Sequence, residues 1–295
     1  MKPFKLTYTA LEQGILREAL SGWGISKRTL ASVKYGGGTI LVNGEEVTVR
    51  HVLEKGDAVA VIFPNEELGA GLQAEEGPLD IVYEDEALLI VDKPARQNTI
   101  PSREHPEGSL ANLVAGHFAA HGIPATLHIA TRLDRDTSGL VCIAKNRHIH
   151  HMLSMQQKDK RMKRQYEALA HGSFASRKFT ITEPIGRKGS SIIEREVRPD
   201  GQFAETQVEV LHTFPEFSHV KLQLNTGRTH QIRVHLAHIG NPLLGDDLYG
   251  GKRDILPRQA LHCRTLELVH PVSGKSMRFD APLKADMDAL IYVNR

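Results

Sequence analysis

At 295 residues the chain is long enough for one large core plus a small additional domain. With 40% hydrophobic and 24% charged residues it excludes a disordered or low-complexity protein, and no uninterrupted apolar run approaches the roughly 20 residues needed to span a bilayer. The formal net charge of +2 says little by itself; the distribution of the cations says more.

Residues 1–7 lack the long apolar stretch of a signal peptide, so a cytoplasmic setting is expected. The two cysteines, Cys142 and Cys263, fit it: they lie in apolar surroundings without ligand-like neighbours, as reduced thiols do.

The first elements are two short helices over 13–34. Ile15, Leu16, Ala19 and Leu20 have helical spacing, Gly22 and Gly24 break it, and Ser26 caps a second helix carrying Leu30 and Val33. The glycines at 36–38 end that helix. A strand over 39–42, the turn Asn43-Gly44 and a strand over 46–49 read as a hairpin, since Asn-Gly favours the positive torsions of a tight turn. A last strand covers 59–61. With Ser26-Lys27-Arg28, the 40–44 segment and Lys55-Gly56-Asp57, residues 12–63 resemble the S4 RNA-binding module. The resemblance implies that Lys27, Arg28 and Lys34 face RNA phosphates. The polar, glycine-rich segment 64–78 reads as a linker, and 79–295 as the main domain.

There, 87–92 reads as a buried strand running into Lys93-Pro94-Ala95, with the proline forcing an extended exit that holds the lysine at the strand end. Residues 128–146 are the most informative stretch. The cluster Arg132, Asp134, Arg135 and Asp136 interrupts two apolar segments, the second a buried strand over 140–144. Asp134 is therefore expected on a loop at the edge of a core, partly dehydrated and among fixed partners.

Asn146 can cap a helix bearing Ile149, Met152, Leu153 and Met155. His148, His150 and His151 on it cannot all face one ion, so no metal site is expected. The basic run Lys158, Lys160, Arg161, Lys163 and Arg164 suits a polyanion. It leads into an alternating strand with Tyr166 on the inner face, and another strand alternates from Val220. In the segment 226–235, Gly227 allows a turn, Thr229 can cap a helix, and Ile232, Leu236 and Ile239 form its buried stripe. Arg228 precedes that helix; Arg233 lies within it, turned inward.

Several of these segments together resemble the RluA-type pseudouridine synthases. The motif Arg-Leu-Asp-x-x-Thr-Ser-Gly matches Arg132 through Gly139. Lys93-Pro94-Ala95, Arg164 with Tyr166, 226–235, and 242–246 with Tyr249-Gly250 follow in the family's order, so the resemblance covers about 80–285. Two positions depart from it: Arg96 stands where glycine is usual, so the next loop is expected to take a different path, and Thr131 where histidine is frequent, with a tuning effect expected.

The resemblance implies an α+β pseudouridine synthase fold, a large mixed but mainly antiparallel sheet flanked by helices and loops, with the small α+β S4-like domain in front. It implies a base-flipping RNA–uridine isomerase. Isomerisation breaks the N1–C1′ bond of uridine, turns the base and joins C5 to C1′, without redox change, group donor or metal. Asp134 is the expected essential carboxylate, whether it attacks C1′, attacks the base or removes a ribose proton. Arg233 is its expected ion-pair partner, favouring the charged form. Tyr166 is expected to stack on uracil and to accept or relay the C5 proton. Arg132, Arg228, Thr137 and Lys93 are expected to bind substrate. Lys160, Arg161, Lys163 and Arg164 join Lys27, Arg28 and Lys34 as the RNA-binding set. No cofactor is expected; the partner is structured RNA, ribosomal before transfer, and the protein a monomer. Two other readings remain: an inactive RNA-binding protein of this fold, and a glycoside hydrolase using Asp134 and Asp136.

Overall fold

The computed structural model describes residues 3–66, 68–69, 71–123 and 126–294. Strands Leu88–Lys93 and Ser138–Ala144 are covered on both faces, and every residue in each is buried. That double cover is why they read as near-continuous apolar runs. They pair antiparallel, Gly139 opposite Lys93 and Ala144 opposite Leu88.

Beside them Leu261–Val269 pairs parallel with Ser138–Ala144 in a sheet whose other described pairs are antiparallel. Lys163–His171, Phe217–Leu224, Glu205–Thr213 and Lys178–Thr182 extend the sheet on one side and Ile81–Glu84 on the other, and Ser276–Asp280 on Leu261–Val269 and His128–Ile129 on Ser138–Ala144 bring it to ten strands among the described residues. The fold is α+β with a mixed, mainly antiparallel sheet.

Helices Leu110–Ala120 and Arg147–Lys158 pack Leu110, Val114, Phe118, Ile149 and Leu153 into the core cluster of this sheet. Each such burial contributes about 1.5–3 kcal/mol. Ser109 and Asn112 form a capping box on the first helix, and the Asn146 side chain accepts the Ile149 N–H at 2.9 Å on the second, as its sequence predicts. Met155 is instead exposed; His148 and Gln156 share the inner face with Ile149 and Leu153. Among the described residues no helix is long and apolar enough to cross a membrane.

The N-terminal unit has a sheet ordered Lys5–Thr9, Ala58–Ile62, Thr39–Val42, Glu45–Glu46, with helices Leu16–Gly22 and Lys27–Tyr35 and an apolar cluster of its own. Ser26 Oγ accepts the Thr29 N–H at 3.1 Å, and Asn43 and Gly44 take φ 53° and 92° in the hairpin turn. Two expectations shift. Ile15 pairs with Val52 instead of opening the helix, and the second hairpin strand stops at Glu46, with Val47 keeping one bond to Ile40.

Segment 64–78 is tied down at both ends. Glu66 reaches His128 Nε2 at 2.7 Å and accepts the Arg147 N–H at 2.9 Å. Burial alone would raise the Glu66 pKa; the bonds to His128 and Arg147 outweigh it and bring it down. Glu75 donates its N–H to Asn112 O at 3.0 Å, and a Cβ on Gly116 would come within 1.9 Å of Glu75 O. Phe63 stacks on His148, 5.1 Å between ring centres. His148 is thus a core residue between the two units, and burial lowers its pKa to about 4.

Candidate active site

The backbone of residues 133–136 is pinned carbonyl by carbonyl. Leu133 O accepts from Thr99 Oγ1 at 2.7 Å, Asp134 O from Thr137 N at 3.1 Å, and Asp136 O from Arg258 Nη1 at 3.3 Å. Arg135 O accepts both the Gln97 N–H at 3.1 Å and Lys93 Nζ at 3.1 Å. A loop with every carbonyl occupied presents its side chains at a fixed angle.

This corrects the expectation for Lys93. Its ammonium is fully buried beneath the loop, donating also to Pro94 O and Gln97 O at 2.8 Å each, and has no proton left for a ligand. Burial drives its pKa down to about 7 against the opposing charges of Asp136 and Asp134. Lys93 shapes the loop from below. Arg96 adopts φ 63°, the left-handed conformation glycine takes readily, so the arginine keeps a glycine-like turn at a cost of about 1–2 kcal/mol. Thr131 is buried, and its hydroxyl accepts the Cys142 N–H at 2.8 Å, fastening the loop to the strand behind it.

The strand after the loop begins at Ser138, and Gly139 has φ 112°; a Cβ there would lie 2.3 Å from Cys263 O. Glycine alone permits this approach. Cys263 in turn is the register partner of Tyr166, just past a bulge between Gln165 and Tyr166. The glycine thereby brings the Asp134 loop and the Tyr166 strand to one side of the sheet.

The third element is helix Gln231–His238. Its N-cap is His230 at φ 57°, not Thr229, and no side chain caps it directly. Gln231 organises the turn instead: Oε1 accepts from Arg228 N at 3.0 Å and Thr226 Oγ1 at 2.8 Å, and Nε2 donates to Glu205 O at 3.0 Å. Six consecutive residues, Gln231 to Leu236, are buried, so the helix is enclosed all round over that stretch, Arg233 included, while Ile239 is 38% exposed, outside the expected stripe.

Arg233 Nη1 lies 3.2 Å from Asp134 Oδ2, while Nε and Nη2 grip Asp246 Oδ2 and Oδ1 at 2.8 Å each. The Asp246 side chain is 0% exposed, Arg233 8% and Asp134 29%, so the accessible acid is the one facing the cavity. Burial alone would lower the Arg233 pKa; Asp246 and Asp134 reverse this and hold it above the ordinary guanidinium value. Burial, with Cys263 and Asp134 nearby and Arg164 opposing, raises the Tyr166 pKa. The phenol is neutral and holds its proton, so it can accept another only by passing its own on.

These groups border a cavity of about 1110 Å³. Asp134, Tyr166, Arg233, Thr137, Arg132 and Arg228 all line it, as do Lys160, Lys163 and Arg164. Thr137 is buried, 3.3 Å from Gln259 Nε2, and Arg228 Nε donates to Phe203 O at 2.9 Å. Arg161 is exposed and paired with Asp159 at 3.2 Å. Lys27, Arg28 and Lys34 are exposed on the N-terminal unit and form no part of the cavity wall.

Sequence reasoning missed three residues. Asp246 was only the end of a recognised segment, although an acid directly after Leu243-Leu244-Gly245 signals a buried carboxylate in need of a buried base. His230 and Tyr249 were motif members without a role. His230 Nε2 is 3.7 Å from Asp134 Oδ2, and Tyr249 lies 4.9 Å beneath the Arg233 guanidinium.

Residues 87–238 match the model of the RNA pseudouridylate synthase family. The chain is 50% identical over 276 residues to "Uncharacterized RNA pseudouridine synthase YjbO" of Bacillus subtilis (strain 168), covering 94% of this chain and 98% of that one. It is 38% identical to "Ribosomal large subunit pseudouridine synthase D" of Pseudomonas aeruginosa, covering 88% and 84% respectively. Among solved structures, "Human RNA Pseudouridylate Synthase Domain Containing 1" superposes with a TM-score of 0.59 at 26% identity, over 75% of this chain and 97% of that one. Extent and identity together decide the matter: the chain belongs to the RNA pseudouridylate synthase family of isomerases.

Proposed function

We propose that this enzyme converts specific uridines of structured RNA to pseudouridine with Asp134 as the essential carboxylate, acting on a base flipped into the cavity beside it. The observation that carries this is the 3.2 Å contact between Arg233 and Asp134 at a cavity also bordered by Tyr166. The guanidinium holds the carboxylate in place while leaving it accessible. A volume of about 1110 Å³ exceeds a typical small-ligand site, in keeping with a nucleotide and part of its flanking strand. Tyr166 offers an aromatic face for the detached uracil, and its neutral phenol fits stacking or proton relay better than direct proton abstraction.

Flipping a base costs a few kcal/mol. Lys160, Lys163 and Arg164 on the cavity wall, with Arg132 and Arg228, would offset this through phosphate contacts, so affinity should fall steeply with salt. The N-terminal unit, with Lys27, Arg28 and Lys34 exposed on its capped helix, acts in this reading as an S4-like second grip on the RNA. The relative named for the large ribosomal subunit favours large-subunit ribosomal RNA as substrate, and with it a cytoplasmic enzyme. Tritium release from RNA labelled at uridine C5 tests the reaction. Carbodiimide mapping of RNA from cells with and without the gene tests the target: the stop lost on deletion should lie in large-subunit ribosomal RNA, and a stop lost only from transfer RNA overturns that assignment.

A further inference from the structure

Asp134 Oδ2 has two neighbours, Arg233 Nη1 at 3.2 Å and His230 Nε2 at 3.7 Å. Among the described residues no donor reaches Oδ1. The other imidazole nitrogen, His230 Nδ1, lies 2.8 Å from the Tyr249 hydroxyl, which already accepts the Arg195 N–H at 2.9 Å. The hydroxyl has one proton to give and Nδ1 lies in front of it. Were Nδ1 the protonated nitrogen, the phenol proton would have no acceptor among the described residues. Nδ1 is therefore the bare nitrogen, and the proton of the neutral ring sits on Nε2, toward Asp134. Burial lowers the His230 pKa in spite of Asp134, with Arg233 adding to the effect, so the ring is neutral at neutral pH.

We propose that His230, fixed as the Nε2–H tautomer by Tyr249, is a positioning residue for Asp134: it donates to Oδ2 once substrate closes the site and leaves Oδ1 as the reacting oxygen. The inference rests on the reading of Asp134 as the essential carboxylate. Contacts of this kind are long without substrate and tighten when it binds. Tyr249 has a double part, since its ring lies under the guanidinium that addresses the same oxygen. Its hydroxyl also ties the hairpin of Ile185–Arg187 and Arg195–Val197 to the site through the Arg195 N–H.

His230 also supplies the left-handed residue before the helix, and the test must separate that backbone role from the donor role. Asparagine tolerates φ 57° best and keeps a polar atom near the Nδ1 position, but carries no donor at the Nε2 position. Glutamine reaches the Nε2 position with an amide N–H and suits the backbone less well. The proposal predicts that His230→Gln stays within about tenfold of wild-type kcat, while His230→Asn falls by about 10- to 100-fold, the worth of one hydrogen bond to a charged group, with KM unchanged. Nitrogen-15 NMR of histidine-labelled wild type should show His230 as a single Nε2–H tautomer, and Tyr249→Phe should show a mixture with reduced kcat. Better activity in Asn than in Gln, wild-type kcat in both, or an Nδ1–H signal in the wild type overturns it. Asp134→Asn assayed in parallel separates the two readings. If that variant is active, the carboxylate assignment fails; if it is inactive while the His230 variants are unaffected, only the present inference fails.

Discussion

Arg233 Nη1 stands 3.2 Å from Asp134 Oδ2 across 99 positions of sequence. The contact exists because a glycine strand, a pinned loop and a helix entered through a left-handed histidine converge, and because Asp246 holds the far edge of the same guanidinium.

Asp246 is therefore the residue whose loss should hurt both fold and activity. Asp246→Ala strands a buried guanidinium and should cost about 3–5 kcal/mol in urea unfolding. Asp246→Asn keeps the shape and should fold more stably than the alanine variant, yet be slower than wild type because Arg233 is no longer held in register. Wild-type turnover in Asp246→Asn would show that the clamp has no bearing on Asp134.

Lys93 supplies a pH signature. Its folded pKa is about 7 against an ordinary 10.5, so between those values the unfolded chain binds more protons here than the folded chain. Stability from this site therefore rises with pH across that window, by at most about 1.4 kcal/mol per pH unit. Lys93→Met should lose that slope and also leave the Pro94 and Gln97 carbonyls short of a donor, while Arg135 O keeps the Gln97 N–H, destabilising the protein by about 2 kcal/mol or more at pH 7. Identical pH–stability curves for both proteins would contradict the assignment.

Much of this site was legible in the sequence. Short apolar runs around charged clusters located the Asp134 loop, the Tyr166 strand and the Arg233 helix, and the structure brings all three to one cavity. Local chemistry was legible too: the Ser26 and Asn146 caps and the Asn43-Gly44 turn depend on neighbouring residues only. What depends on distant partners was not. Lys93 reads as a strand-end cation until the carbonyls of Gln97 and Arg135 are folded over it. Thr229 looks like a cap because hydroxyls often are, but Gln231 occupies the turn and gives His230 that place. Segment 64–78 has linker composition, yet Glu66 finds partners 62 and 81 positions away.

Gly139 is predicted to tolerate no side chain. Gly139→Ala places a methyl 2.3 Å from Cys263 O at φ 112° and should lower stability by about 2–4 kcal/mol, read by thermal melting. A melting temperature equal to wild type would mean that the parallel pairing is not as close as described.

Glu66 should act as a latch between the two units. Its folded pKa lies below the ordinary 4.5, so its contribution is present above that value and lost as pH falls through the folded one. Glu66→Gln at pH 7 should cleave faster within 64–78 under limited proteolysis, and wild type should approach it as the pH drops below about 4.5. Equal cleavage rates at pH 7 would remove the latch.

The most direct measurement is tritium release from C5-labelled RNA by Asp134→Asn, with RNA binding followed on the same preparation. The account predicts release abolished while the RNA is still bound, because a neutral amide replaces the carboxylate that faces the cavity. Release at the wild-type rate from a folded, RNA-binding Asp134→Asn protein would contradict it.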